Sequence, residues 1–300
     1  MTLNQLKYAI IVAESESFNE AAKKLFISQP SLSTSIHSLE EEIGVQIFRR
    51  SQNGIAVTPE GKEFIGYARQ GMEQYELLDA RYITKSEVKK RFSVSMQHYS
   101  FAVNAFVHMV KQYGMDEYEF AVHETKTHEV IEDVRNGKSE IGILYLNDFN
   151  RKVLEKIFAE SAIEFHPLLE CNVYVYMSNT HPLAKKESIS LEELKDYPCL
   201  SFDQGEYNSF YYAEEVLSTY EYKQLIKAND RATMLNLMVG LNGYTLCSGI
   251  ICEELNGDKY CAVKLDSDEQ MEIGYISRKG ATISTIGQKY LEEISKSKAL

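Results

Sequence analysis

Two changes of hydrophobic period along these 300 residues predict a multidomain chain: an all-α head, one long helix, and a two-lobed α/β body. Three observations carry this. Within residues 17–50 apolar residues recur at helical spacing in two short segments divided by a corner. From residue 59 a narrow apolar seam with alternating steps of three and four runs on for several turns. From residue 92 stretches of period two alternate with stretches of helical period, and the alternation occurs twice over. Strands that alternate with helices build a largely parallel sheet with helices on its faces, and two such units in tandem leave a cleft between them.

In the head, Leu3, Leu6, Ile10 and Ala13 supply a stripe for a first helix. Ser17 with Glu20 has the spacing of a capping box, so a second helix starts there, with Ala21, Ala22 and Leu25 on its inner face. Phe26 and Ile27 break the run. Ser28 caps a third helix, with Pro30 in its first turn where a missing N–H is harmless. Leu32, Ile36, Leu39 and Ile43 form its buried stripe, and Gly44 ends it. Gln29, Ser31, Ser33, Thr34, Ser35 and Ser38 are left for other sides. A short helix whose outward groups are amides and hydroxyls suits a DNA major groove, where such groups hydrogen-bond base edges. Residues 51–57 then read as a turn and a short strand, the wing of a winged helix-turn-helix.

The ordered set Ala21-Ala22, Leu25, Ser28-Gln29-Pro30-Ser31-Leu32-Ser33, Ile36, Leu39-Glu40, Gly44-Val45, Ile47-Phe48-Arg49-Arg50 and Thr58-Pro59-Glu60-Gly61 resembles the N-terminal domain of LysR-type transcriptional regulators. The resemblance implies a winged helix-turn-helix, a linker helix and a periplasmic-binding-protein-like effector domain. It also implies that double-stranded DNA is met by Lys24, Ser28, Gln29, Pro30, Ser31, Ser33, Thr34, Arg49, Arg50 and Asn53. The chain departs from the family where Arg is common, near Thr34 and near Asn53, and it has no Lys or Arg between Lys24 and Arg49. Base reading is therefore expected to rest on Gln29, Ser31, Ser33 and Thr34, with more weight on the shape and deformability of the site.

Charge by itself does not point to DNA. The chain carries a net −12, and residues 1–66 hold six basic against eight acidic side chains. Few phosphate contacts per subunit predict weak non-specific binding and a modest dependence on salt. The basic residues are segregated, however: Lys23 and Lys24, then Arg49 and Arg50, bracket the reading helix.

Thr58 and Pro59 open the long helix as cap and first helical residue. Phe64, Ala68, Gly71, Tyr75, Leu78 and Tyr82 make a heptad seam too narrow for a globular core, so the helix is expected to pair with its copy in a second subunit. A homodimer, or a tetramer of such pairs, then presents two heads to an operator with two half-sites. The expected division is a DNA-binding domain at 1–58, a linker and dimerisation helix at 59–90, and an effector domain at 91–300. Its first lobe spans about 91–162 and 268–300, and its second about 163–267.

Within the body, strands are expected at 92–96, 118–122, 141–145, 171–177, 199–202, near 225, at 244–248 and at 271–277. Helices are expected at 101–113, 128–136, 190–195 (Ser190 capping with Glu193), 210–217, 233–239 and 284–295. The Gly240-Leu241-Asn242-Gly243-Tyr244 turn and His181-Pro182-Leu183 are similar to common family elements. Ligands of open α/β sheets collect at the carboxyl ends of strands, beside helix N-termini. Those positions hold Gln97, His98, Tyr99, Ser100, Thr125, Thr127 and Asn147 in the first lobe, and Phe202, Gln204 and Asp230 in the second. Hydroxyls, amides and helix N-termini suit a small polar effector bearing a carboxylate. Residues 204–211 resemble the family branch governing sulfur amino-acid genes, which puts O-acetylserine-like and sulfur amino acids first among effectors to test.

Other classes find little support. His123/His128 and Cys247/Cys252 are each five apart, unlike the tight pairs of zinc sites, and no Gly-rich phosphate loop is present, so neither metal nor cofactor is expected. Cys247 lies in an apolar strand and reads as core; residues 203–211 contain no Cys for redox sensing. With no spanning apolar run, no secretory leader and five scattered cysteines, a cytoplasmic, non-enzymatic regulator without membrane contact is expected, with RNA polymerase as a further candidate partner. The competing class is a metabolite-binding or enzymatic α/β protein whose head serves only assembly.

Overall fold

A computed structural model describes residues 1–51, 54–79, 82–83, 89–114, 117–252, 255 and 257–297, with backbone only at 50, 51, 54, 73 and 77. Two compact units divide the chain, centred on residues 1–90 and 91–300. No helix among the described residues is long and apolar enough to cross a membrane.

The first unit holds α1 (Leu3–Ala13), α2 (Phe18–Lys24), α3 (Gln29–Ile43), a hairpin of β1 (Phe48–Ser51) and β2 (Gly54–Val57), and α4 (Pro59–Asp79). Its core joins Ala9 and Val12 to Phe18, Ala21, Ala22, Leu32, Ile36, Leu39, Ile47, Phe48 and Ile65. The face α1 buries is therefore not the expected stripe. Leu3 stays 40 % exposed, while Ala9 and Val12 are sealed. The helix LNQLKYAIIVA is apolar nearly all round, so period alone could not choose its inner face, and packing on α3 and α4 does. A capping box does occur there, between Thr2 and Gln5. At α2 only half of the expected box forms: the Glu20 N–H donates to Ser17 Oγ, but the Glu20 carboxylate accepts from Glu16 N–H instead.

The second unit contains two sheets. In the first, β3 (Lys90–Met96), β4 (Tyr118–Glu124), β5 (Ile141–Leu146), β6 (Ile163–Asn172) and β13 (Gln270–Arg278) lie in the order β4-β3-β5-β13-β6. Helices α5 (Ser100–Lys111), α6 (Thr127–Arg135), α7 (Arg151–Glu160) and α9 (Thr285–Ser295) accompany these strands. In the second, β7 (Tyr174–Ser178), β8 (Ser188–Ile189), β9 (Cys199–Phe202), β10 (Leu225–Ala228), β11 (Tyr244–Cys247) and β12 (Tyr260–Leu265) lie in the order β10-β9-β11-β7-β12-β8, with α8 (Arg231–Leu241) against it. β3 and β5 are parallel, as are β9 and β10, while β13 runs antiparallel to both its neighbours. This is the two-lobed α/β body expected from the alternation of periods.

Three differences have physical causes. The apolar run 171–177 is two strands in two sheets: β6 pairs along its whole length with β13, and the chain crosses at Val173 into β7. The lobes therefore part after Asn172, not at residue 163. Residues 190–195 form turns in place of a helix, with the Glu193 carboxylate accepting from Ser190 N–H and Oγ–H. Residues 210–217 hold only a short 3-10 turn at Phe210–Tyr212. The carbonyls that would extend it are taken by the other lobe: Thr127 Oγ–H donates to Tyr212 O and Tyr145 O–H to Ala213 O.

Candidate functional site

Helix α3 is fixed at both ends. Ser28 Oγ accepts from Ser31 N–H at 3.2 Å and lies 2.7 Å from Ser31 Oγ; Gly44 closes the helix in the left-handed region, φ 69°. Leu32, Ile36 and Leu39 are buried, while Pro30, Ser31 and Thr34 are exposed and Gln29 and Ser33 partly so. Phe26 forms the corner before it, at φ 55° and with its ring 96 % exposed. Of the basic residues, Arg49 is exposed on β1, and Lys24 reaches back to Glu20 at 2.7 Å, a surface pair of the kind that contributes little. Arg50 is described only as part of β1, and Asn53 lies outside the described residues.

The hairpin is pinned to α3 by Glu40, which is not among the residues expected to contact DNA. The Glu40 carboxylate accepts from the Ile47 and Phe48 N–H groups, at 2.7 and 2.9 Å. The Thr58-Pro59-Glu60-Gly61 element completes the joint. Thr58 Oγ–H donates to Gln46 O at 2.6 Å and its oxygen accepts from Gly61 N–H at 2.8 Å, while a Cβ on Gly61 would collide with the Ile47 carbonyl. Glu40, Thr58 and Gly61 of the motif thus hold the hairpin to the helices.

The heptad seam of α4 divides into two halves. Ala68 is buried, and Phe64 is partly buried against the head's own core. Gly71, Tyr75 and Leu78 are exposed, Leu78 to 58 %, and Tyr82, beyond the last described residue of α4, is 66 % exposed.

Between the lobes of the second unit lies a cavity of about 90 Å³. His98, Tyr99, Ser100 and Phe202 line it, four of the ten positions expected at the strand ends. Of the others, Gln97, Thr127 and Gln204 form a network that joins the lobes, and three make local bonds. Gln97 Nε2–H donates to Thr127 Oγ1 at 2.6 Å, and Thr127 N–H donates to Gln204 Oε1 at 3.0 Å. Gln204 Nε2–H donates to Glu214 Oε1 at 2.9 Å. Asp230 caps α8 through Thr233 N–H, Thr125 meets Glu129, and Asn147 exchanges bonds with Asn150. None of these six lines the cavity.

What the sequence reading missed is the wall contributed by the second lobe. Met234, Leu235 and Met238 of α8, Tyr176 of β7 and Leu246 of β11 make it largely apolar, and Met271 of β13 adds to it from the first lobe. Set into that wall are Glu214 and Glu215, each less than 8 % exposed. Glu214 Oε2 accepts from His98 N–H at 2.9 Å and faces His98 Nδ1 at 2.8 Å, and the imidazole stacks on Phe202 with centroids 3.8 Å apart. Glu215 accepts from Ser201 Oγ–H and Phe202 N–H. Burial, reinforced by the Glu214 charge, pushes the Glu215 carboxyl up to about 8. Cys247, also lining the cavity, has its thiol pushed up to about 12 by burial. The signal in the sequence was two adjacent acids inside an aromatic stretch, FYYAEEV, where solvent-facing charge is out of place.

The two turn motifs meet in the second lobe. His181 Nδ1 accepts from Leu183 N–H, which leaves Nε2–H to donate to Asn242 O at 3.1 Å. Burial lowers the His181 pKa, in keeping with that neutral tautomer.

Comparison with known proteins matches both units. A family model described as "Bacterial regulatory helix-turn-helix protein, lysR family" covers residues 3–62, and one described as "LysR substrate binding domain" covers residues 100–296. The chain is 25 % identical to the uncharacterised HTH-type regulator YbhD of Escherichia coli over 96 % of its own length and 89 % of that protein's. It is 30 % identical to the HTH-type regulator CysL of Bacillus subtilis over 73 % of this chain and 70 % of that one. Among solved structures, full-length OxyR from Pseudomonas aeruginosa superposes with a TM-score of 0.66 at 21 % identity, covering 99 % of this chain and 95 % of that chain, a likeness of fold. These relatives are regulators and not enzymes. With an N-terminal helix-turn-helix head and a C-terminal two-lobed domain both matched, the chain belongs to the LysR family of DNA-binding transcriptional regulators.

Proposed function

We propose that this regulator works as a homo-oligomer in which α3 lies in the major groove, paired α4 helices hold two heads on two half-sites, and a small metabolite between the lobes sets the geometry. Residues 1–58 serve as the head, 59–90 as the pairing helix and 91–300 as the effector unit. The observation that carries it is α3 itself, a helix anchored by Leu32, Ile36 and Leu39 that offers Gln29, Pro30, Ser31, Ser33 and Thr34 away from the core. Amide and hydroxyl groups at the start of such a helix can read base edges without a formal charge. Arg49, Arg50 and Lys24 supply phosphate contacts, few enough that affinity falls only modestly with salt. The exposed Tyr75, Leu78 and Tyr82 support pairing through α4, because a row of apolar side chains at heptad spacing is stabilised by a matching row.

For the effector, the cavity between the lobes supports a small ligand. Helix α5 begins there without a side-chain cap, so its first N–H groups suit the carboxylate expected from sequence. A ligand that prefers one arrangement of the lobes shifts the equilibrium between DNA-bound geometries, which is all that allosteric control requires. O-acetylserine-like and sulfur amino acids are the first compounds to test.

The deciding experiment is footprinting on the DNA beside the protein's own gene. Protection of two half-sites that is lost in Gln29→Ala/Ser33→Ala, with the weak binding to random competitor unchanged, is the expected result. Equal binding of the variant and the wild type refutes the assignment of α3. A protein that is monomeric at assay concentration refutes the paired heads.

A further inference from the structure

The cavity between the lobes contains more acid than a site for a simple anion should. Glu214 and Glu215 both line it and are both buried, and the positive group on its rim, Arg231, is already ion-paired with Glu124. An ionised carboxylate has about four lone-pair positions. Glu214 uses three, on His98 N–H, His98 Nδ1 and Gln204 Nε2–H. Glu215 uses Ser201 Oγ–H and Phe202 N–H, with its own N–H as a third. Each acid thus has an acceptor position left.

An independent observation points into the same space. Thr245 on β11 lines the cavity, is 8 % exposed, and its Oγ1 is buried without a hydrogen-bond partner among the described residues. A buried hydroxyl left unpaired is unfavourable, and a ligand offering a hydrogen bond recovers that loss. Much of the remaining wall is apolar or aromatic, with Tyr176, Phe202, Met234, Met238 and Leu246, beside the hydroxyls of Ser100 and Ser248. Tyrosine and phenylalanine faces also attract a cation.

We infer that the effector carries a protonated amine on a short apolar body, its ammonium received by Glu214 and Glu215 and its remaining polar group by Thr245. This rests on the inter-lobe site proposed above and names its ligand class. An ammonium has three donors and no acceptor, matching a pocket whose free capacity is acceptor lone pairs plus one hydroxyl. Without a cation, burial and the neighbouring Glu214 keep a proton on Glu215; an ammonium between the two acids favours release of that proton and then balances both carboxylates. An α-amino acid with an apolar side chain satisfies this pocket and the α5 N-terminus together, whereas a simple organic acid leaves both carboxylates facing its own charge.

The test is calorimetric titration of the full chain with matched probes: leucine, isopentylamine and isocaproate; phenylalanine, phenethylamine and hydrocinnamate; methionine alongside. Binding is expected for at least one amine-bearing probe and not for its desamino acid, weakened at least about tenfold in both Glu214→Gln and Glu215→Gln, which remove charge with little change of shape. Thr245→Val is expected to weaken the same probe. A desamino acid that binds as well as its amine-bearing counterpart, and still loses affinity in Thr245→Val, overturns the ammonium assignment while leaving the inter-lobe site standing. Binding untouched by all three substitutions places the ligand elsewhere and overturns the site itself. No heat from any probe overturns the ligand class. Circular dichroism of each variant shows whether it is folded, and Glu215→Gln stands as the arm if Glu214→Gln is not.

Discussion

Glu215→Gln is expected to make the protein more stable above neutral pH. The carboxyl rises from 4.5 in the unfolded chain to about 8 in the fold, because burial and the neighbouring Glu214 both disfavour its charge. The native state therefore keeps a proton that the unfolded chain releases, so stability falls as pH rises from 4.5 to about 8, and the loss is complete above that. That difference corresponds to roughly 5 kcal/mol, which neutralisation removes. Glutamine keeps an oxygen for Phe202 N–H and turns its amide N–H toward Ser201 Oγ, so the loss in hydrogen bonding is about 1 kcal/mol. Net, the variant should be near neutral at about pH 5 and more stable by several kcal/mol at about pH 9. Urea unfolding at both pH values reads this through tyrosine fluorescence, since the chain has no tryptophan. The quantity of interest is wild type minus variant at each pH, which cancels every other titrating group. If that difference is the same at both pH values, Glu215 does not hold a proton in the native state.

Glu40→Ala leaves the Ile47 and Phe48 N–H groups without their acceptor, so the head should lose about 2–4 kcal/mol, and hydrogen exchange at those two amides should speed up before global unfolding does. Gly61→Ala drives a methyl into the Ile47 carbonyl and should destabilise the head by about 1–3 kcal/mol with a matching loss of DNA binding, measured by thermal unfolding and gel shift. Leu78→Glu with Tyr82→Glu sets like charges on the exposed half of the α4 seam and should shift sedimentation toward monomer while leaving the head folded. Acidification should destabilise the second lobe as His181, whose pKa the fold lowers, is forced to take a proton that the unfolded chain takes readily; His181→Gln should flatten that part of the pH profile, read by thermal unfolding below about pH 6.5.

The head was legible almost residue by residue because its determinants are local. Ser17, Ser28 and Thr58 cap where the sequence puts them, Gly44 stops α3, and Leu32, Ile36 and Leu39 are buried as their spacing requires. Where α1 differed, the cause was a helix whose apolar residues spread nearly all round. In the body the alternation of periods was readable, but sheet membership was not. Nothing in residues 171–177 says that partner strands change at Val173, since that depends on β13, about a hundred residues later. The segment 210–217 has helical spacing, and long-range hydroxyl donors from Thr127 and Tyr145 override it. The cavity divides the same way. Its rim of His98, Tyr99, Ser100 and Phe202 follows from strand ends, whereas Met234, Met238, Leu246 and Thr245 are indistinguishable in sequence from core.

The chain passes between the lobes twice, at Val173 and again between Leu265 and Gln270, and the two passages lie side by side. Asn172 is paired with Gln270 on one side of the gap, and Val173 O accepts from Leu265 N–H on the other. A pair of short, mutually bonded ribbons bends and twists but resists sliding. Relative motion of the lobes is thereby confined to a rocking or screw about one narrow axis, and whatever fills the space between them is converted into rotation, the kind of displacement a rigid rod can carry over distance.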